Sequence, residues 1–222
     1  MVAVDGPAGA GKGAVCRAVA SRFAFSYLDT GSIYRAVALL SLQKNIESDQ
    51  ELGELAASMP FEFRQVEGVG FRGFLAGEDV SDALREEQVG RKASHVAAVP
   101  QVRAALLTFQ RHYGGDKNII LDGRDTGTVV WPDADLKVFL TASLEERAKR
   151  RALELQGKGE TVSFQKIRDM IARRDARDAG RTHAPLAAAA DAQHVDTTRL
   201  TLDQSIDCVA KMVDKMVGNK PR

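Results

Sequence analysis

Read as an alternation of apolar and polar positions, the first forty residues carry two copies of one unit. Val2 to Val4 is a short β-branched run ending at Asp5; after a glycine-rich stretch, Val15, Val19 and Phe23 recur every four residues on a predicted helix. The run FSYL leads in the same way through the turn Asp29, Thr30, Gly31 into a helix marked by Ile33, Val37 and Leu40. Strand, turn and helix alternate.

Between Phe61 and Val80 the period changes to two and is broken by Gly68, Gly70, Gly73 and Gly77, which predicts a small antiparallel ribbon inserted into that rhythm. Two helical stretches follow, Asp82 to Val96 and Gln101 to His112, the second opened by Pro100. NIILD at 118–122 and LKVFLTA at 136–142 are near-continuous apolar runs, the pattern of parallel strands buried on both faces. Ser143 with Glu146 predicts a capping box for a helix reaching Gln156. Thr201 with Gln204 predicts another for the last helix, whose Ile206, Val209, Val213 and Met216 face inward. AQHVDT before it supplies a fifth strand. The expected fold class is α/β, a five-stranded parallel sheet flanked by helices, with a small antiparallel β insertion.

Composition changes this picture little. Of 222 residues 44% are hydrophobic and 27% charged, with a formal net charge of +1, so no polyanion is expected as partner. Cys16 and Cys208 lie far apart on predicted helices and read as reduced, packed thiols. The chain starts directly on a predicted strand without a basic, apolar leader, and its longest small-residue run, PLAAAADA, is too short to span a bilayer; no membrane association and a cytoplasmic location are expected. Without heptads or a long apolar stripe, a monomer is the default. His95, His112, His183 and His194 form no metal-ligand spacing, and no direct metal ligand is expected.

The chemistry sits in the first turn. Gly6 to Lys12 matches Gly-x-x-x-x-Gly-Lys between a strand and a helix, the context in which a glycine-rich backbone cradles phosphates at a helix N-terminus. Lys12 would be a solvent-facing charge against the β- and γ-phosphates. The next position, where serine or threonine usually offers a hydroxyl to Mg²⁺, is Gly13, followed by Ala14. A protein whose second substrate is itself a phosphate can leave the metal to phosphate oxygens and water, so Gly13 favours a kinase over a nucleotide switch. The absence of an Asn-Lys-x-Asp segment points the same way.

In order along the chain stand DGPAGAGKG, LDTGSIYRAVAL, GEDVSDALR, ASHVAAVPQVRAAL, LDGRDTGTVVWPDADLKVFL and RRDARDAGRTHAPL. Together they closely resemble the bacterial cytidylate kinases, over almost the whole chain, with DGRDTGTVV and RRDARDAGR the most specific stretches. In that family Gly after the loop lysine is usual, whereas Ala14 departs from the common threonine. The resemblance implies a P-loop NTPase core at 1–60 and 114–222, a short lid at about 156–164 within LQGKGETVSF, and an inserted monophosphate-binding region at 61–113. It implies transfer of the γ-phosphoryl of ATP to CMP or dCMP. Gly6, Pro7, Ala8, Gly9, Ala10, Gly11, Lys12, Gly13 and Ala14 would cradle the ATP phosphates.

Such a reaction needs no strong base, because a phosphate monoester near pH 7 is already largely dianionic, its second pKa being about 6. Positioning and charge cancellation remain, and planar guanidinium groups suit both. The catalytic candidates are Lys12, Arg124, Arg174 and Arg181. Arg124 follows a buried strand, where α/β proteins place ligands. Arg174, Asp178 and Arg181, spaced by four and three, share a helix face if the helix extends so far; spacing alone equally allows a salt-bridge ladder. The resemblance makes Arg174 and Arg181 substrate arginines, Asp178 a ribose-hydroxyl acceptor and Arg35 an acceptor-phosphate contact. Asp125 suits cytosine, whose N4 donates where the corresponding atom of uracil accepts, and Ser94 with Arg103 resembles the family's other cytosine-reading pair. Asp122 either acts through water on Mg²⁺ or merely ends its strand. Arg147, Lys149, Arg150 and Arg151 read as an ATP-phosphate contact or a solvated helix face, not an RNA surface. The alternatives are a P-loop kinase for UMP, AMP or another small acceptor and, in a different class, an ATP-dependent binding or switch module.

Overall fold

The structure is a computed structural model and describes residues 1–68, 70–115, 118–157 and 159–218. Val69 of the expected ribbon, Lys158 of the expected lid, and 116, 117 and 219–222 of the expected core lie outside the described residues. The chain divides into two compact units, Met1–Tyr27 with Lys117–Arg222, and Leu28–Asp116.

The first unit is built on a five-stranded sheet. Its strands are β1 (Val2–Asp5), β2 (Ser26–Asp29), which carries the chain onward into the second unit, and later β6 (Ile119–Gly123), β7 (Leu136–Thr141) and β8 (Gln193–Asp196). Their order is β2-β6-β1-β7-β8, with β1 parallel to β6 and β7, and β7 parallel to β8. Every residue of β1 and β6 is buried, as a strand with neighbours on both sides and helices on both faces requires. The edge strand β8 buries only Val195. The helices of this unit are α1 (Lys12–Arg22), α6 (Leu144–Gly157), α7 (Phe164–Ala179) and α8 (Leu202–Gly218). Thr201 and Gln204 form the expected reciprocal box before α8, each backbone N–H donating to the other's side chain at 3.2 and 2.9 Å. On α8 Val209 and Val213 are buried, with Ile206 and Met216 half-buried beside them. Between α6 and α7, Ala148, Leu155, Ile167 and Ile171 make a small core of their own, so the two helices pack as a hairpin.

The second unit holds α2 (Thr30–Lys44), α3 (Asp49–Ser58), α4 (Glu87–Val96) and α5 (Pro100–Gly114) with the antiparallel sheet β3 (Phe61–Val66), β4 (Gly70–Leu75) and β5 (Glu78–Asp79). The ribbon expected from the period-two pattern is thus present and gains a third, two-residue strand. Helix α3 goes beyond the sequence expectations. Ser48 caps it by accepting from the Glu51 N–H at 3.3 Å, and Gly53 lies so close to α5 that a Cβ there would be 2.6 Å from Gln101 Cβ. The helix expected over 82–96 is interrupted. A 3₁₀ turn at Ala83–Arg85 gives way to an extended Glu86 at ψ 145° before α4 begins, and the Leu84 carbonyl accepts from Arg35 at 2.7 Å instead of continuing a helix.

The junction of β1 with the loop that follows is tight. Gly6 has φ 150°, and a Cβ built on it would stand 2.0 Å from the Leu140 carbonyl oxygen of β7, a backbone atom that cannot move aside. Gly6→Ala is therefore expected to destabilise the protein by about 2–4 kcal/mol, from backbone strain and overpacking together, seen as a lower urea midpoint with unchanged m-value.

Candidate active site

The loop from Gly6 to Gly11 joins β1 to α1. Gly11 is the N-cap of α1 at φ 91°, a conformation that side chains rarely adopt, and no side chain caps the helix end. The first peptide N–H groups of α1 are left for an anion, with the helix dipole behind them. Lys12 begins the helix. It is not the solvent-facing charge expected from the sequence: it is only 6% exposed, and its Nζ donates to the Pro7 carbonyl at 3.0 Å. Burial, reinforced by the charge of Arg124 and opposed by Asp122 3.9 Å away, lowers its pKa to about 8.

Two buried carboxylates stand at the C-terminal ends of adjacent strands. Asp5, ending β1, accepts from the N–H and hydroxyl of Thr126 and the N–H of Gly127, all at 2.8 Å. Burial raises its pKa, and these donors pull it back. The bonds anchor the turn Thr126–Val130, a single π-type turn opened by Asp125. Asp122 in β6 accepts from the hydroxyl of Tyr27 at 3.2 Å. Next to it, a Cβ on Gly13 would lie 3.3 Å from Asp122 Oδ2 and 3.1 Å from Arg17 Nη1.

Behind the loop, the arginine cluster of α6 proves to be structural in part. Arg147 is buried, donating from Nε to the Ala142 carbonyl and from Nη1 to the Ala8 carbonyl at 3.0 Å and to Asp175. Arg150 reaches Thr197 with both Nη atoms, and the Thr197 hydroxyl lies 3.3 Å from the Ala10 carbonyl. The reading of Arg147 as a solvated face is corrected: its guanidinium holds the back of the loop. Lys149 is exposed, and Arg151 pairs with Glu154 at 2.6 Å.

Two of the expected arginines meet on one acid. Asp178, 1% exposed, takes Arg124 Nε on Oδ2 at 3.1 Å and Arg181 Nη2 on Oδ1. Helix α7 stops at Ala179 and Gly180 follows, so Arg181 lies past its end rather than on its face, yet still meets Asp178. Arg181 Nε is buried and makes no hydrogen bond within the protein, which leaves a charged donor suited to an anion. Arg174 sits one turn before Asp178 on α7, and Arg124 also donates to the Gly123 carbonyl at 3.0 Å.

Arg35, Ser94 and Arg103 belong to the second unit. Arg35 on α2 lies against Gly90 of α4, where a Cβ would be 3.3 Å from its Nη1. Ser94, one turn on, donates to the Gly90 carbonyl at 3.3 Å, and Arg103 stacks over Tyr34 with its guanidinium 5.6 Å from the ring centre. The three sequence-selected residues are thus neighbours around α4. Thr126 and Thr197, which meet Asp5 and Ala10 across 121 and 187 residues, were beyond sequence reasoning, as was the bond of Arg147 to Ala8; Tyr27, within a predicted strand, gave no sign of its bond to Asp122.

A family model described as cytidylate kinase matches residues 2–215. Among curated relatives, the cytidylate kinase of Magnetococcus marinus is 58% identical, covering 97% of this chain and 96% of that protein. Those of Edwardsiella ictaluri and Aeromonas salmonicida are 50% and 45% identical, covering 93% and 99% of this chain and 92% and 96% of their own lengths. With that identity sustained from end to end, the chain belongs to the cytidylate kinase family.

Proposed function

We propose that the protein transfers the γ-phosphoryl group of ATP to CMP or dCMP, giving ADP and CDP or dCDP, as part of pyrimidine nucleotide metabolism. The observation that carries this reading is the grouping of Arg124 and Arg181 on the buried Asp178, in the same unit as a phosphate loop whose lysine feels the charge of Arg124. In this reading the loop 6–14 holds the donor phosphates, Lys12 leaves the Pro7 carbonyl to meet the β- and γ-oxygens, and Arg124, Arg174 and Arg181 offset charge on the group in transfer. A carboxylate has about four acceptor positions, so Asp178 keeps capacity for a ribose hydroxyl while holding two arginines. Arg35 takes the acceptor phosphate, and Asp125, Ser94 and Arg103 read cytosine. We keep as a proposal the domain limits read from the sequence, a core at 1–60 and 114–222, a monophosphate-binding insertion at 61–113 and a lid at about 156–164 between α6 and α7; the compact units themselves divide at Tyr27 and Asp116.

The residues fit a magnesium ion held chiefly by phosphate oxygens and water. Position 13 brings no hydroxyl, and Asp122 is a buried carboxylate 3.9 Å from the loop lysine whose Oδ2 would lie 3.3 Å from a Cβ at 13. Bound there, magnesium would neutralise charge on the donor phosphates, with Asp122 acting through water. Among the described residues no helix is long and apolar enough to cross a membrane. We infer a cytoplasmic monomer that binds neither membrane nor nucleic acid.

The direct test is ADP release with and without CMP: Lys12→Ala is expected to abolish the CMP-dependent part while circular dichroism and the urea midpoint show a folded protein. Lys12 also gives a pH signature. Its pKa near 8 means that it is charged below that pH and increasingly neutral above, and donor phosphates raise the pKa again. Binding of ATP at about pH 8.5 is then expected to take up a proton, measured by calorimetry in buffers of different ionisation enthalpy, with little uptake well below pH 8 and none in Lys12→Ala. For base choice, Asp125→Asn keeps the shape and adds a donor, so the CMP to UMP ratio of kcat/KM is expected to fall about ten- to a hundredfold. An equal loss for both substrates would assign Asp125 to phosphate or metal instead.

A further inference from the structure

We infer that Tyr27 is a positioning residue on the donor side of the reaction, fixing through Asp122 the carboxylate that fills the space beside Gly13. Tyr27 lies on β2, the neighbour of β6 in the sheet, and is fully buried. Its hydroxyl donates to Asp122 Oδ2, while Oδ1 faces Lys12 Nζ at 3.9 Å. One oxygen is held from β2 and the other is turned to the loop cation. The terminal torsion of an aspartate is intrinsically broad, and the bond from Tyr27 is one of the contacts that narrow it.

Position 13 explains why orientation matters. A Cβ there would lie 3.3 Å from the oxygen that Tyr27 holds and 3.1 Å from Nη1 of Arg17, whose guanidinium lies over the Tyr27 ring, 5.9 Å from its centre. A side chain at 13 would press on this Asp122 orientation by a few tenths of an ångström. Glycine spares the carboxylate that pressure, and the bond from Tyr27 helps to keep it in place. A phenol is also a costly choice for a fully buried position unless its hydroxyl is used. The inference rests on the reading of the loop as a magnesium-nucleotide site.

The test is the affinity for ADP, measured by calorimetry with magnesium and with EDTA, for wild type, Tyr27→Phe, Asp122→Ala and the double variant. In Tyr27→Phe the gain in affinity from magnesium is expected to fall about three- to tenfold, while affinity in EDTA stays within about twofold. In the Asp122→Ala background the same change is expected to alter the gain no further, because Tyr27 acts through that carboxylate. Equal loss with and without magnesium, or an undiminished effect when Asp122 is absent, overturns the inference, since the hydroxyl would then support the loop directly. A wild-type gain that Tyr27→Phe leaves unchanged overturns it alone; a wild type showing no ADP binding or no gain from magnesium overturns the underlying loop reading and this inference with it.

Discussion

A protein that receives two phosphate-bearing ligands must hold several cations close together, and in the folded chain those cations repel. The constraint is visible in Lys12, whose proton is loosened by burial and by the charge of Arg124. Buried acids offset the repulsion. Asp178 is shared between Arg124 and Arg181, and Asp122 lies within reach of Lys12. Such pairs contribute little net stability, because desolvating the charges costs nearly what their attraction returns, but removing one partner strands the other at a cost of about 3–5 kcal/mol. The acids therefore fix where the cations stand.

The phosphate loop is subject to a second form of the same constraint. A backbone curled so that its N–H groups converge on an anion turns carbonyls away from it, and buried carbonyls require donors. Arg147 supplies one to Ala8, and Thr197 reaches Ala10 with Arg150 braced against it. Arg147 also holds Asp175 on α7, one residue from Arg174 and three from Asp178. The back of the loop and the helix that carries Arg174 and Asp178 are thus joined through one guanidinium. A lysine could not make this connection, since it lacks the planar fork that here serves Ala142, Ala8 and Asp175 at once.

The sequence was most legible where a signal is local. The apolar runs of β6 and β7 and the paired caps before α8 depend on residues within a few positions of one another, and the structure has them where the pattern put them. Helix α3 carries equally local signals, the cap of Ser48 on Glu51 and Leu52, Leu55 and Ala56 at helical spacing on its buried face, and they went unread. The break at Glu86 could not be read, because what ends that turn is Arg35, 49 residues earlier, taking the Leu84 carbonyl. The site divides in the same way. The loop and the arginine run are contiguous motifs, whereas Tyr27 meets Asp122 across 95 residues, Thr126 meets Asp5 across 121 and Arg147 meets Ala8 across 139. No periodicity spans such separations.

Gly13, at first sight a defect in the phosphate motif, follows from this arrangement. In a loop that grips its metal through a hydroxyl, the side chain at that position needs room beside the first turn of the helix. Here the room is bounded by Asp122 and Arg17, two side chains already committed to Lys12, Tyr27 and each other's neighbourhood. A Cβ there would press on Asp122 Oδ2 and Arg17 Nη1 by a few tenths of an ångström, and any shift of the carboxylate away from Lys12 would leave that cation with less counter-charge in a buried setting and lower its proton affinity further. Glycine at 13 leaves the contact undisturbed. The missing hydroxyl belongs to the same balance of buried charge that positions the arginines on Asp178.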